Sequence, residues 1–262
     1  MDALAAIGCQ DDVEIRIDEA ALHLAAADRT RADLEPSLAY VRGLATRLPP
    51  SLPTAESRAQ ALADLLAGTE GFTGDREDYD SPRNADMLSV LSRRRGLPVA
   101  LAILYVATAR RAGWDARVMG LPGHVVVALE GGERLVLIDA FASGRLLVPS
   151  ELAGLPTTLA TGRALRAGDA ALLGNRETLV RLVMNQASRA RAAGDDARAL
   201  TLYRRLTLIA PALPPIWWER ARLEQASGDT AAARRSLAAM RETTRDPALK
   251  DRIRQAYDAL TR

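Results

Sequence analysis

The sequence predicts an α+β fold. Helices at the front lead into a small antiparallel sheet, and the chain ends in a wholly helical segment. Three observations predict this. The apolar run from Leu97 to Ala109 is too long for a strand and suits a buried helix. Two β-branched runs, 124–129 and 134–139, flank Gly131-Gly132 as a hairpin would. From residue 180 onward the chain is rich in alanine and arginine and repeats itself every 34 residues. A length of 262 residues leaves room for two domains, expected at 1–175 and 180–262. Hydrophobic residues at 48% and charged residues at 26% exclude a disordered chain, a collagen-like repeat and a coiled-coil rod.

The rarer residues narrow the chemistry. One cysteine excludes an internal disulfide, and with only two histidines it leaves little for a zinc site. No metal and no cofactor is expected. Aromatic residues at 4% supply few stacking platforms. The formal charge of +2 hides an asymmetry: residues 1–80 hold seven Arg against sixteen acids, a net of −9, and the remainder carries +11. An acidic front packed against a basic remainder accounts for this. The arginines are dispersed along helices, which argues against nucleic acid as partner. The start, MDALAAIGCQ, has no basic segment, and the longest apolar run falls short of a bilayer span. The expectation is a cytoplasmic protein without membrane contact.

Element by element, Ile17–Ala25 reads as an amphipathic helix with Asp18 as its cap, and His23 lies on its apolar face as a core histidine. A second helix is expected from Leu34 to Leu48, before Pro49-Pro50, and a third from Ala55 to Leu66, stopped at Gly68. Residues 71–82 are rich in Gly, Asp and Pro, a loop long enough to suggest function. Asn84 then caps a short helix that Gly96 stops, with Arg93-Arg94-Arg95 at its dipole-favoured end. Pro98 opens the long helix, where its missing N–H costs nothing, and Gly113 closes it.

The hairpin carries the sharpest expectation. With Gly131-Gly132 as a two-residue turn, Glu130 pairs with Glu133 and His124 lies opposite Asp139 on one face. A histidine oriented by an aspartate on the next strand is half of a nucleophile triad. In the tail, Ala187, Gly194-Asp195, Ala197, Tyr203 and Leu206 recur as Ala221, Gly228-Asp229, Ala231, Leu237 and Met240. That period, with Gly at the turn and Ala at the helix crossing, is a tetratricopeptide signature. A closing helix is expected from Asp246 to Leu260. Trp217-Trp218 opens a repeat helix, one ring filling the inter-helix core and the other either packed against the first domain or exposed as a binding anchor, and with Arg220 the pair is the candidate partner-binding face.

Four motifs in order, Asp78-Tyr-Asp-Ser-Pro-Arg-Asn84, Arg94-Arg-Gly-Leu-Pro-Val-Ala-Leu101, Leu121-Pro-Gly-His124 and Ile138-Asp-Ala-Phe141, followed by the repeat, resemble the bacterial SirB-type family. The resemblance covers roughly residues 12–262. It implies a transglutaminase-like, papain-like core joined to a C-terminal tetratricopeptide segment. It also implies a cleft bordered by Asn84, Arg95, Gly96, Pro98 and Gly123, with a Cys-His-Asp triad whose cysteine begins the long helix. In this sequence that position falls near Pro98, and Leu97, Val99 and Ala100 offer no nucleophile either. His124 and Asp139 are kept as a relic dyad.

Two functions follow. The first is a non-catalytic protein that binds another protein or peptide through its helical repeat, with a regulatory role. The second is a hydrolase or acyl-transfer enzyme that uses His124 and Asp139 with an unexpected nucleophile such as Cys9, Ser81 or Ser89. Phosphate-loop, dinucleotide-binding and nucleophile-elbow motifs are absent from the sequence.

Overall fold

Pro98 to Ala109 are twelve buried residues in succession, so the helix they begin is apolar all round and has to sit inside its unit. The computed structural model describes residues 2–30, 32–131, 134–147 and 170–260. Its contacts divide the chain into two units, Asp12–Leu182, and Val183–Arg262 together with Met1–Asp11. The boundary expected between 175 and 180 thus falls within a continuous helix, Asn175–Ala192. The first eleven residues, expected in the front domain, join the C-terminal helices instead. The reason is a close fit: α1 (Ala3–Cys9) places Gly8 so near the Leu208 carbonyl that a Cβ there would collide with it.

In the Asp12–Leu182 unit, α2 (Ile17–Ala26), α3 (Glu35–Gly43), α4 (Ala55–Ala63), α5 (Met87–Arg93) and α6 (Pro98–Arg111) accompany two sheets. A short parallel pair joins β1 (Thr73–Gly74) to β2 (Arg95–Gly96). The larger sheet is antiparallel, with β3 (Ala116–Leu121), β4 (His124–Gly131), β5 (Arg134–Asp139), β6 (Arg145–Leu147) and β7 (Ala171–Leu173) in the order β6-β5-β4-β3-β7. Val125 to Leu129 are buried without interruption, so the central strand is covered on both faces. The helix α6 packs on β3 and β4. Truncating a residue such as Leu101, fully buried on it, should cost about 2–5 kcal/mol.

Several local expectations are corrected. Asp18 does not cap α2; it is buried and forms an ion pair with Arg111 at 2.5 Å, and Arg16 stands at the uncapped start. The run Leu34–Leu48 breaks after Gly43 into a 3-10 turn, Ala45–Arg47. The third helix widens after Ala63 into a π-helical turn, Asp64–Thr69, instead of stopping at Gly68. Beyond that turn Glu70 accepts from Tyr40 at 2.5 Å and pairs with Arg47 and Arg94. The cap of α5 is Asp86, which accepts from the Ser89 amide at 2.7 Å, and its C-terminal cap is Arg94 at φ 59°. Gly96 lies beyond the helix end, paired with Gly74.

The second unit contains the remainder of α7 (Asn175–Ala192), α8 (Asp196–Ile209), α9 (Pro214–Ala226), α10 (Thr230–Thr243) and α11 (Pro247–Ala259). The described residues from 180 to 260 hold helices and turns and no strand. Two turns, 34 residues apart, share one backbone geometry. Gly194 and Gly228 close the two inter-helix turns at φ 72° and 83°. Asp195 and Asp229 follow them as N-caps at φ −86° and −84°, each accepting from the amide three residues on. Ala221 sits at 4% exposure among Leu237, Met240 and Ile253, where α9, α10 and α11 meet.

Candidate active site

Asp139 ends β5, and the chain turns back on its side chain. Oδ1 accepts the amides of Phe141 at 3.0 Å and Ala142 at 3.1 Å, and the Asp139 carbonyl accepts from Gly144 at 3.0 Å. An aspartate that caps its own turn has a fixed carboxylate. His124 begins β4 after a two-residue turn in which Pro122 presets φ and Gly123 supplies φ 74°. Its Nε2 lies 3.2 Å from Asp139 Oδ1. The alignment is not that of a formed hydrogen bond, and Nε2 is a buried atom without a hydrogen-bond partner. Burial pushes the Asp139 carboxyl up, but the His124 ring and the two turn amides outweigh it and hold the pKa below the ordinary value.

The route to this proximity differs from the expected one. Gly131 pairs with Arg134 and Val127 with Ile138, so the register is shifted by two positions from one centred on Gly131-Gly132. Gly132 and Glu133, named in the expected turn and its pairing, lie outside the described residues. A shift of two preserves the face, because side chains alternate with period two. His124 and Asp139 are therefore diagonal neighbours, within reach of a ring and a carboxylate. The position the register sets opposite His124 is Phe141. Its ring meets the imidazole edge-on at 6.3 Å and Tyr79 at 5.7 Å. Gly74 leaves the space for that ring: a Cβ there would lie 2.6 Å from Phe141 Cγ.

The residues expected to border a cleft have other roles in part. Asn84 is fully buried and ties the 75–86 segment together. Its Nδ2 donates to the Asp78 carbonyl at 2.6 Å, its Oδ1 accepts from Arg93 at 2.9 Å, and its carbonyl accepts from Leu97 at 2.8 Å. Gly96 is buried against Val90. Of the three consecutive arginines Arg95 is exposed, and Arg93 and Arg94 are half-buried. Arg93 pairs with Asp75 at 2.5 Å, and Arg94 lies between the rings of Tyr40 and Phe72. Pro98 is buried at the first turn of α6, whose start no side chain caps.

None of the other candidate nucleophiles forms a hydrogen bond with the His124 ring. Cys9 is exposed and belongs to the other unit. The Ser89 hydroxyl accepts from Arg29 at 3.5 Å, and Ser81 is buried. Among the described residues no hydroxyl or thiol forms a hydrogen bond with the His124 ring, and no group of three or more His, Cys, Asp or Glu is placed to hold a metal ion. No described helix is long and apolar enough to cross a membrane.

In the helical unit, Trp217 and Trp218 are both half-buried against the cluster around Ala221, so neither is a free anchor. Trp217 donates its indole N–H to the Pro211 carbonyl at 2.8 Å. Arg220, expected at a partner face, is turned inward. It donates to Thr207 at 2.9 Å and pairs with fully buried Glu224 at 2.9 Å, where Ser236 completes the network at 2.6 Å. A buried carboxylate has to be paired, and that requirement fixes the arginine.

Residues 18–184, well over half of the chain, match the family model described as the transglutaminase-like superfamily. The chain belongs to the transglutaminase-like superfamily. The matched stretch nearly coincides with the Asp12–Leu182 unit that carries His124 and Asp139. Among relatives of this superfamily member, a UPF0162 protein of Xylella fastidiosa is 35% identical over 82 residues, 31% of this chain and 29% of that protein. F-box only protein 21 of Mus musculus is 30% identical over 133 residues, 48% of this chain and 20% of that protein. The chain thus spans less than a third of the length of these relatives. A crystal structure of menin, titled as revealing the binding site for Mixed Lineage Leukemia protein, aligns with 91% of this chain and 68% of menin at 12% identity, with a TM-score of 0.49.

Two residues that matter at the site escaped the sequence reading. Tyr105 on α6 is fully buried with its hydroxyl unpartnered, and burial and the charge of Asp139 push its pKa up. Arg181 on α7 donates to the carbonyls of Leu121 and His124. Nothing in its spacing could have revealed this, because the contact joins positions 57 and 60 residues apart.

Proposed function

We propose that this chain is a non-catalytic transglutaminase-like protein of the SirB type, joined to a tetratricopeptide-like helical segment that binds another protein or peptide. The observation that carries the reading is Pro98. The family resemblance gives that position to the nucleophile, and proline has none to offer. The lone thiol, Cys9, is in the other unit. An acyl-transfer site without a nucleophile still has a basic ring, a fixed carboxylate and a helix start whose amides favour negative charge. Such a site suits recognition of a carboxylate or amide without cleavage. The two turns closed by Gly194 and Gly228, 34 residues apart with matching aspartate caps, support the repeat assignment and its stacked helices suit peptide binding.

The test restores the missing group. In a Cys9→Ala background, Pro98→Cys should introduce a thiol that reacts with an acyl ester, and His124→Ala should remove that reactivity. The unaltered protein should hydrolyse no peptide or amide substrate. Turnover that survives Cys9→Ala and vanishes in His124→Ala would reject the non-catalytic reading in favour of a hydrolase that uses a hydroxyl as nucleophile.

A further inference from the structure

His124 closes the two-residue turn between β3 and β4, and a side chain from α7 reaches both ends of that turn. Arg181 Nη2 lies 3.0 Å from the Leu121 carbonyl and 3.0 Å from the His124 carbonyl. These are the first and last residues of the turn, directly paired across β3 and β4. One guanidinium nitrogen therefore bridges both ends of the loop. The seat of the guanidinium is fitted: at Gly120, a Cβ would lie 3.2 Å from Arg181 Nη1 and 3.0 Å from Leu173 Cδ2. A glycine next to the turn thus leaves room for the arginine, while β7 closes the other side.

We infer that Arg181 is a positioning residue for His124, acting through the Leu121 and His124 carbonyls to fix the angle at which the imidazole faces Asp139. The role is independent of whether a nucleophile is present, because it concerns the histidine alone. A planar guanidinium suits it, since its donors leave in fixed directions and charge-assisted hydrogen bonds to carbonyls are stronger than neutral ones. Burial lowers the Arg181 pKa, in keeping with a charge turned into the unit.

The chain has only two histidines, so His23 serves as an internal reference for the imidazole signals of His124 in one NMR spectrum. Arg181→Met keeps the stem and removes the donors. The expected result is a displaced set of His124 ring carbon and nitrogen resonances with His23 unmoved, and about tenfold faster amide exchange in the turn. Arg181→Lys, which retains a cationic donor, should restore the signals in part. Native His124 resonances in a folded Arg181→Met protein would overturn the inference. Should that variant fail to fold, Gly120→Ala decides: it crowds Nη1 without removing it, and displaced His124 signals support the role whereas native ones refute it.

Discussion

Gly74→Ala tests the packing that encloses the candidate site. The added Cβ would lie 2.5 Å from Phe141 Cε2 and 2.6 Å from Cγ, where carbon atoms in contact keep about 3.5–4.0 Å. The ring must therefore yield by about 1 Å. It has little room, with Tyr79 at 5.7 Å, His124 at 6.3 Å and the Arg76 guanidinium at 5.9 Å from its centre. Its backbone is also held, by the Gly74 amide at 3.0 Å on the Phe141 carbonyl and by Asp139 on the Phe141 amide. Overpacking of this kind costs about 1–3 kcal/mol. The loss of unfolded-chain freedom offsets about 0.4–1 kcal/mol, since Gly74 has no positive φ. A net loss of about 1–2 kcal/mol lowers the melting midpoint by roughly 2–8 °C. The assay is thermal unfolding beside the imidazole NMR spectrum, in which His124 signals should move with the displaced ring. The control is Gly43→Ala, at the end of α3 with no atom within 4 Å of its Cβ, which should be neutral or stabilising by up to ~1 kcal/mol. A Gly74→Ala protein as stable as the Gly43→Ala protein would refute the packing argument.

Two further predictions concern carboxylates. Arg42, helped by Arg111 and opposed by burial, holds Glu19 down at about 2 from an ordinary 4.5. A lowered folded-state pKa means stability that is complete above the unfolded value and is lost as pH falls from about 4.5 towards 2. After allowance for solvent screening the share is about 1–2 kcal/mol. Urea midpoints at pH 6 and 2.5 should therefore fall less in Glu19→Gln than in the unaltered protein, and an equal fall would contradict the assignment. At the dyad, Asp139→Asn keeps an acceptor for the Phe141 and Ala142 amides, whereas Asp139→Ala removes it. The alanine variant should be less stable than the asparagine variant by about 1–3 kcal/mol in urea unfolding, and equal stabilities would mean that the turn does not depend on the carboxylate.

What the sequence determined by itself is local or periodic. Pro98 and Gly113 bound α6 because proline and glycine act on their own dihedrals. The turns at Gly194 and Gly228 could be read because a glycine at a helix end acts on its own dihedrals. The shared face of His124 and Asp139 could be read as well, because alternation along a strand depends only on parity. The tertiary structure decided whatever needed distant partners. The register shifted by two, since the position of a turn is settled by the packing of both strands. Asp18 and Asn84 look like caps in sequence, but Arg111 and Arg93 draw them into buried networks, where an unpaired polar group costs more than a missing cap. Arg220 was drawn inward by Glu224 and Thr207, so a residue that looked available for a partner is bonded within the unit. The hold of Arg181 on the His124 turn and the union of residues 1–11 with the C-terminal helices depend on contacts far apart in the chain. Pattern along the sequence records which face a side chain takes, and only the folded chain sets which partner meets it there.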